Sequence, residues 1–307
     1  MDGPWANRRR PLPGWVRAGL LVTLIAASLC AGASVSAAPA AAFQRGDDWR
    51  HVDLVLEYLG QRTPQRPVVL LFGGSAAREC TISDRNWRRQ IVTMGGPRSL
   101  AFNLGASSQP FARNTAMVLR LPDAPTLILI GVNVGRYTSR PPLASSVAGL
   151  TAAAPTLSQV DAYSQHRFSS RRILTYARKR ALVTQWLRER YPVFRNRFAY
   201  NAARLRELVA VCQERDFKVV LFNLPLDLKV IRHRMDAPRT RYRRHCVNVS
   251  TAYGVPWVNF VSKAGLVSSD FVDTWHLVEP GRAKWQKRVS RMVVTWMKRY
   301  GIDRPVP

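Results

Sequence analysis

Five short apolar runs punctuate the chain, each closed by glycine, proline or polar residues. They are Pro67–Phe72, Leu100–Leu104, Thr126–Ile130, Lys218–Phe222 and Val255–Phe260. Runs this short and this uniformly apolar predict strands buried on both faces. Between them the apolar spacing predicts helices over 52–59, 76–92, 110–121, 168–189, 198–214, 227–253 and 280–300. In the fifth of these, Leu205, Leu208, Val209 and Cys212 share one stripe. Strands alternating with helices predict a five-stranded parallel sheet covered on both faces, a three-layer α/β sandwich. Residues 134–166 hold Pro141, Pro142, Pro155 and many small side chains, which predicts an irregular insertion, either a lid or a mobile loop. No internal repeat interrupts this scheme.

In a parallel sheet, ligands gather at the carboxyl ends of the strands. The first strand runs into Gly73-Gly74-Ser75 and then a helix, which places a serine hydroxyl at the helix start. The second ends in Asn103-Leu104-Gly105, where Gly105 can offer a backbone N–H. The third ends in Gly131-Val132-Asn133, where Asn133 can offer a side-chain amide to an oxyanion. Before the final helix stands Asp273-Thr274-Trp275-His276, a spacing that lets a carboxylate orient an imidazole and the imidazole take a serine proton. Each has a plain structural reading on its own: a capping serine, a turn glycine, a loop asparagine, a surface pair.

Together and in this order, the blocks resemble the SGNH (GDSL-like) hydrolase superfamily over about residues 67–300. The Asp273–His276 block and the last helix also resemble periplasmic acetyl-transfer proteins of exopolysaccharide systems. The resemblance implies a flavodoxin-like SGNH fold and an acyl-serine mechanism without metal or cofactor. Ser75 is then the nucleophile, His276 the general base and Asp273 its orienting acid. Ser75 N–H, Gly105 N–H and the Asn133 amide form the implied oxyanion hole. One departure stands out: Gly74 occupies the place where the family pattern Gly-Asp-Ser has its aspartate. Arg78 and Arg136, close in sequence to Ser75 and Asn133, are expected at the pocket rim, where guanidinium groups favour an anionic substrate. Trp275 is expected to stack on a sugar or to fill the core.

Composition narrows the partners. The 307 residues carry 47 Lys+Arg against 19 Asp+Glu, a formal net charge of +28. This excludes a cationic partner and favours a polyanion. Arg8, Arg9, Arg10 and Arg17 precede an apolar stretch from Leu20 to Val35 and then a run of small residues, the pattern of an export signal. Residues 1–42 are therefore expected to be a signal peptide or membrane anchor, 43–66 a linker with a short helix, and 67–302 the hydrolase-like domain. The domain is expected outside the cytoplasm, secreted or anchored, which argues against nucleic acid. Expected partners are an acylated glycan or lipid substrate and an anionic envelope polymer or membrane surface. The arginine-rich segment 232–244 is expected to form a solvated basic face, with His233 and His245 on the surface. Of the cysteines Cys30, Cys80, Cys212 and Cys246, none forms a CxxC pair, and the three beyond Cys30 allow at most one disulfide. The expected activity is that of an exported serine esterase or O-acyltransferase. The alternative is a domain of the same fold without turnover that binds anionic envelope polymer or a wall-assembly partner.

Overall fold

A computed structural model of the chain describes residues 47–141, 154–166 and 172–303. The segment 1–42 expected to direct export, Cys30 within it, and residues 142–153 of the expected insertion lie outside the described residues. No described helix is long and apolar enough to cross a membrane.

The strands are β1 (Val68–Phe72), β2 (Leu100–Asn103), β3 (Thr126–Val132), β4 (Lys218–Asn223) and β5 (Trp257–Val258). They form one parallel sheet in the order β2-β1-β3-β4-β5. Every residue of β1 and β3 is buried, as the continuous apolar runs require of central strands covered on both faces. The strand order reverses between β1 and β3. A crevice therefore opens above their carboxyl ends, where Gly73-Gly74-Ser75 and Asn133 leave the sheet.

The helices covering the sheet are α1 (Asp47–Gly60), α2 (Ser75–Arg78), α3 (Asp84–Thr93), α4 (Phe111–Val118), α5 (Leu157–His166), α6 (Tyr176–Glu214), α7 (Leu228–Ile231), α8 (Asp236–Tyr253) and α9 (Glu279–Arg299). Val52, Val55, Leu56 and Leu59 of α1 belong to the same core as the sheet, so packing begins before Pro67.

Several expectations are corrected. The helix over 76–92 is two pieces, α2 and α3. Ser83 accepts a hydrogen bond from Asn86 N–H and starts α3 afresh. The stretch 134–166 is not wholly irregular: Val134–Thr138 is a 3-10 turn and Leu157–His166 is helical. The two helices over 168–189 and 198–214 are one 39-residue helix, α6, which runs through Pro192. Its middle clamps the 3-10 turn, since Asn201 Nδ2 donates to the carbonyls of Tyr137 and Ser139, both at 3.1 Å.

His245 is buried rather than on the surface. Its Nδ1 lies 3.0 Å from the Tyr137 hydroxyl, and burial, reinforced by Arg206, lowers its pKa to about 4. Cys80, Cys212 and Cys246 are buried free thiols, and burial pushes Cys212 and Cys246 up to about 12.

Two measurements check this description. Pro192 is exposed and costs α6 one hydrogen bond, so Pro192→Ala raises the unfolding free energy, by up to roughly 3 kcal/mol, with unchanged helical circular dichroism. A helix broken at residue 192 would show no gain. For His245, the unfolded chain takes up a proton between pH 6.5 and about 4 that the folded chain refuses. Stability therefore falls as pH drops through that window, and His245→Gln flattens the fall, read by urea unfolding at a series of pH values.

Candidate active site

Ser75 opens α2 directly after the glycine turn. Gly73 is required there by close approach, since a Cβ on it would stand 2.3 Å from Ala77 Cβ. The Gly73 N–H donates to Gln109 Oε1 at 3.0 Å, which ties the turn to the segment after β2. The helix that Ser75 starts has only four residues, so its dipole is short.

His276 Nε2 lies 2.8 Å from Ser75 Oγ, and His276 Nδ1 lies 2.7 Å from Asp273 Oδ2. A carboxylate only accepts, so the Nδ1 proton points to Asp273 and Nε2 is free to accept from the serine. The other Asp273 oxygen accepts the N–H groups of Trp275 and His276, both at 2.9 Å. Burial alone pushes the Asp273 carboxyl up. The hydrogen bonds and charge of His276, with those two N–H groups, outweigh it and hold the carboxyl below its ordinary value.

The loop carrying this pair is braced from behind. Lys179, on α6 and 1% exposed, donates to the carbonyls of Ser268 and Phe271 and lies 3.4 Å from Asp227 Oδ2. The Asp227 N–H in turn donates to Thr274 O at 2.8 Å. Gly281, near the start of α9, packs on Asp270 so closely that a Cβ would stand 2.3 Å from its carbonyl oxygen.

Asn133 follows β3, and its Oδ1 accepts the Arg136 N–H at 3.2 Å. That leaves the Nδ2 donor for the cavity that Asn133 lines together with Ser75.

Gly105 is corrected. Its N–H donates to Asn103 Oδ1 at 3.0 Å. A Cβ on it would stand 2.5 Å from Arg78 N, so the glycine serves a backbone contact with the end of α2. Asn103 is the hub of this contact, since its Nδ2 also donates to Ala77 O and Thr81 Oγ1, both at 2.9 Å. From the segment after β2, Ser108 and Gln109 reach the cavity, and Ser108 is held at φ +53 in the left-handed region usually left to glycine. Its N–H has no acceptor among the described residues.

The arginines are also corrected. Arg78 is turned away from the cavity: it pairs with both oxygens of Asp48 at 2.8 and 2.7 Å and with Glu79 at 3.0 Å. Arg136 does line the cavity, but from its buried wall rather than an exposed rim: it is 2% exposed, with its guanidinium over the Phe111 ring and Nη2 on Asn114 Oδ1 at 2.5 Å. Burial lowers its pKa to about 9.

Trp275 is half-buried and lines the cavity, which measures about 210 Å³. Trp186 and Arg190 also line it. Both stand on the stretch of α6 near Pro192, where a helix end was expected, and their i,i+4 spacing is the signal that a continuous helix would have shown.

These contacts separate Gly105 from Ser108. Gly105→Ala forces a Cβ against backbone and lowers stability by about 1–3 kcal/mol in urea unfolding. Ser108→Gly keeps its N–H, relieves the left-handed backbone and is tolerated.

The resemblance to SGNH hydrolases extends to the structure: a five-stranded parallel sheet flanked by helices, with the blocks meeting at one edge. The sequence matches no protein-family model and no curated protein. Among solved structures, it is similar to a putative acylhydrolase from Bacteroides fragilis at 10% identity, over 83% of this chain and 99% of that one, with a TM-score of 0.43. A carbohydrate esterase family 2 enzyme with a carbohydrate-binding domain, from Corynascus thermopiles, is similar at 9% identity over 77% of this chain and 68% of that one, with a TM-score of 0.43. A Bacillus subtilis protein is similar at 11% identity and a TM-score of 0.40; the match covers 78% of this chain and 58% of that longer one.

Proposed function

We propose that the protein is an extracytoplasmic serine esterase or O-acyltransferase of the SGNH type, acting on an acylated envelope glycan or lipid. The observation that carries the reading is the hydrogen-bonded series Ser75 Oγ, His276 Nε2, His276 Nδ1 and Asp273 Oδ2, with separations of 2.8 and 2.7 Å. The basic and then apolar N-terminal segment supports action outside the cytoplasm.

In this reading Ser75 Oγ attacks the ester carbonyl while its proton passes to His276 Nε2. Asp273 stays ionised and stabilises the resulting imidazolium. The tetrahedral oxyanion accepts from Asn133 Nδ2, Ser75 N–H and Ser108 N–H, the last taking the role first expected of Gly105. Collapse expels the alcohol, which takes the proton from His276 and leaves an acyl-serine. Water or a sugar hydroxyl then attacks with His276 again as base, which gives hydrolysis or transfer.

A fluorophosphonate probe tests the reading. Ser75 is expected to label in the wild-type protein and not in Ser75→Ala; a folded wild type that does not label overturns it. Asn133→Asp keeps the acceptor for Arg136 N–H and loses the donor, so it lowers kcat by roughly 100- to 1,000-fold at unchanged stability. The net charge of +28 supports a second reading, a domain without turnover that binds anionic envelope polymer. Polymer binding that persists in Ser75→Ala, with no acyl release by the wild type, selects it.

A further inference from the structure

The charge balance of the cavity points to the class of substrate. Among the described residues its lining includes two arginines, Arg136 and Arg190, and no aspartate or glutamate. Arg136 is 2% exposed, and its Nε and Nη1 have no partner among the described residues. Its one side-chain hydrogen bond goes to a neutral amide, Asn114. A buried guanidinium without a carboxylate is costly, and the cost is recovered when an anion arrives.

The space for that anion is next to Gly74. A Cβ on Gly74 would stand 3.8 Å from Arg136 Cδ and meet nothing else within 4 Å. The position a side chain would take at residue 74 is therefore left open against the Arg136 Cδ, one residue from the Ser75 hydroxyl. Asp273 does not fill this role, because its oxygens are taken by His276 and by two backbone N–H groups. Trp186 and Trp275 bring indole rings to the same cavity, surfaces suited to the C–H face of a sugar ring.

We propose that the ester bound at Ser75 is carried by an acidic sugar, whose carboxylate is held by Arg190 and by the uncompensated charge of Arg136 in the space left open at Gly74. This inference rests on the cavity being the ester site, and it names the substrate class for that site. An alcohol moiety bearing a carboxylate gains a charge-assisted contact that a neutral sugar lacks.

The test is a binding measurement that needs no turnover. The full chain is titrated calorimetrically, in about 0.15 M salt to screen its overall charge, with a glucuronic acid disaccharide and with the same disaccharide reduced at its carboxylates. The acidic sugar is expected to bind about tenfold more tightly. Arg190→Gln, a change at an exposed helix position, brings the two affinities together. Gly74→Asp, which puts a carboxylate beside Arg136, does the same. Arg188→Gln, whose side chain is 75% exposed and pairs with Glu189, keeps the preference.

Equal binding of the two sugars by the wild type overturns the proposal. So does a preference that survives both Arg190→Gln and Gly74→Asp, or one that Arg188→Gln also abolishes. Tighter binding of glucose 6-phosphate than of glucuronate overturns the carboxylate assignment. The fluorophosphonate result is read separately: an unlabelled Ser75 with an intact acid preference overturns the esterase reading, and with it the ester, while the acidic-sugar site itself stands; a labelled Ser75 with no acid preference overturns the acidic-sugar site alone.

Discussion

A buried lysine must find acceptors for its protons, and Lys179 finds them in the loop that carries Asp273 and His276. Two loop carbonyls and Asp227 share its ammonium group, and Asp227 holds the same loop through the Thr274 carbonyl. Removing one partner of such a set leaves a charge stranded in a dry interior, which costs more than the set contributes when intact. The loop therefore has one arrangement, and in it the ring of His276 stands beside a serine 201 positions away in sequence. On the other side, Gln109 and Asn103 fix the turn around Ser75 by the same rule, that buried polar groups must be satisfied.

The strands are legible because burial on both faces leaves a mark in composition alone. Val68–Phe72 and Thr126–Val132 are apolar at nearly every position, and both lie in the middle of the sheet. Helix limits are harder to read because local signals mislead. Pro192 marks a stop by its own chemistry, yet packing on either side carries α6 through it. The four residues of α2 end because the chain must turn to bring Asp84 under β2, where its Oδ1 accepts the Asn103 N–H. No periodicity over 76–92 announces that long-range contact.

The site shows the same division. Asp273 and His276 are three apart, so their contact is local and can be read from spacing. The approach of Ser75 follows from strand order, which the order of the blocks along the chain carries. Gly105 draws attention because glycine is the usual residue where backbone approaches a ligand, but here it accommodates Arg78 N instead. Ser108 adopts the left-handed conformation without being glycine, and nothing in its identity signals this. The fates of Arg136 and His245 depend on which face of a turn or helix meets the core. Their neighbours in sequence, many of them polar, conceal it.

The three buried thiols have a consequence for the chemistry the domain meets in its surroundings. Disulfide exchange begins with a thiolate, and with pKa values near 12 Cys212 and Cys246 hold almost none at neutral pH; Cys80 is pushed well above its ordinary value as well. Each is also fully buried. Among the described residues the architecture is thus indifferent to redox poise. It can be assembled under reducing conditions and used under oxidising ones without gaining or losing a covalent cross-link.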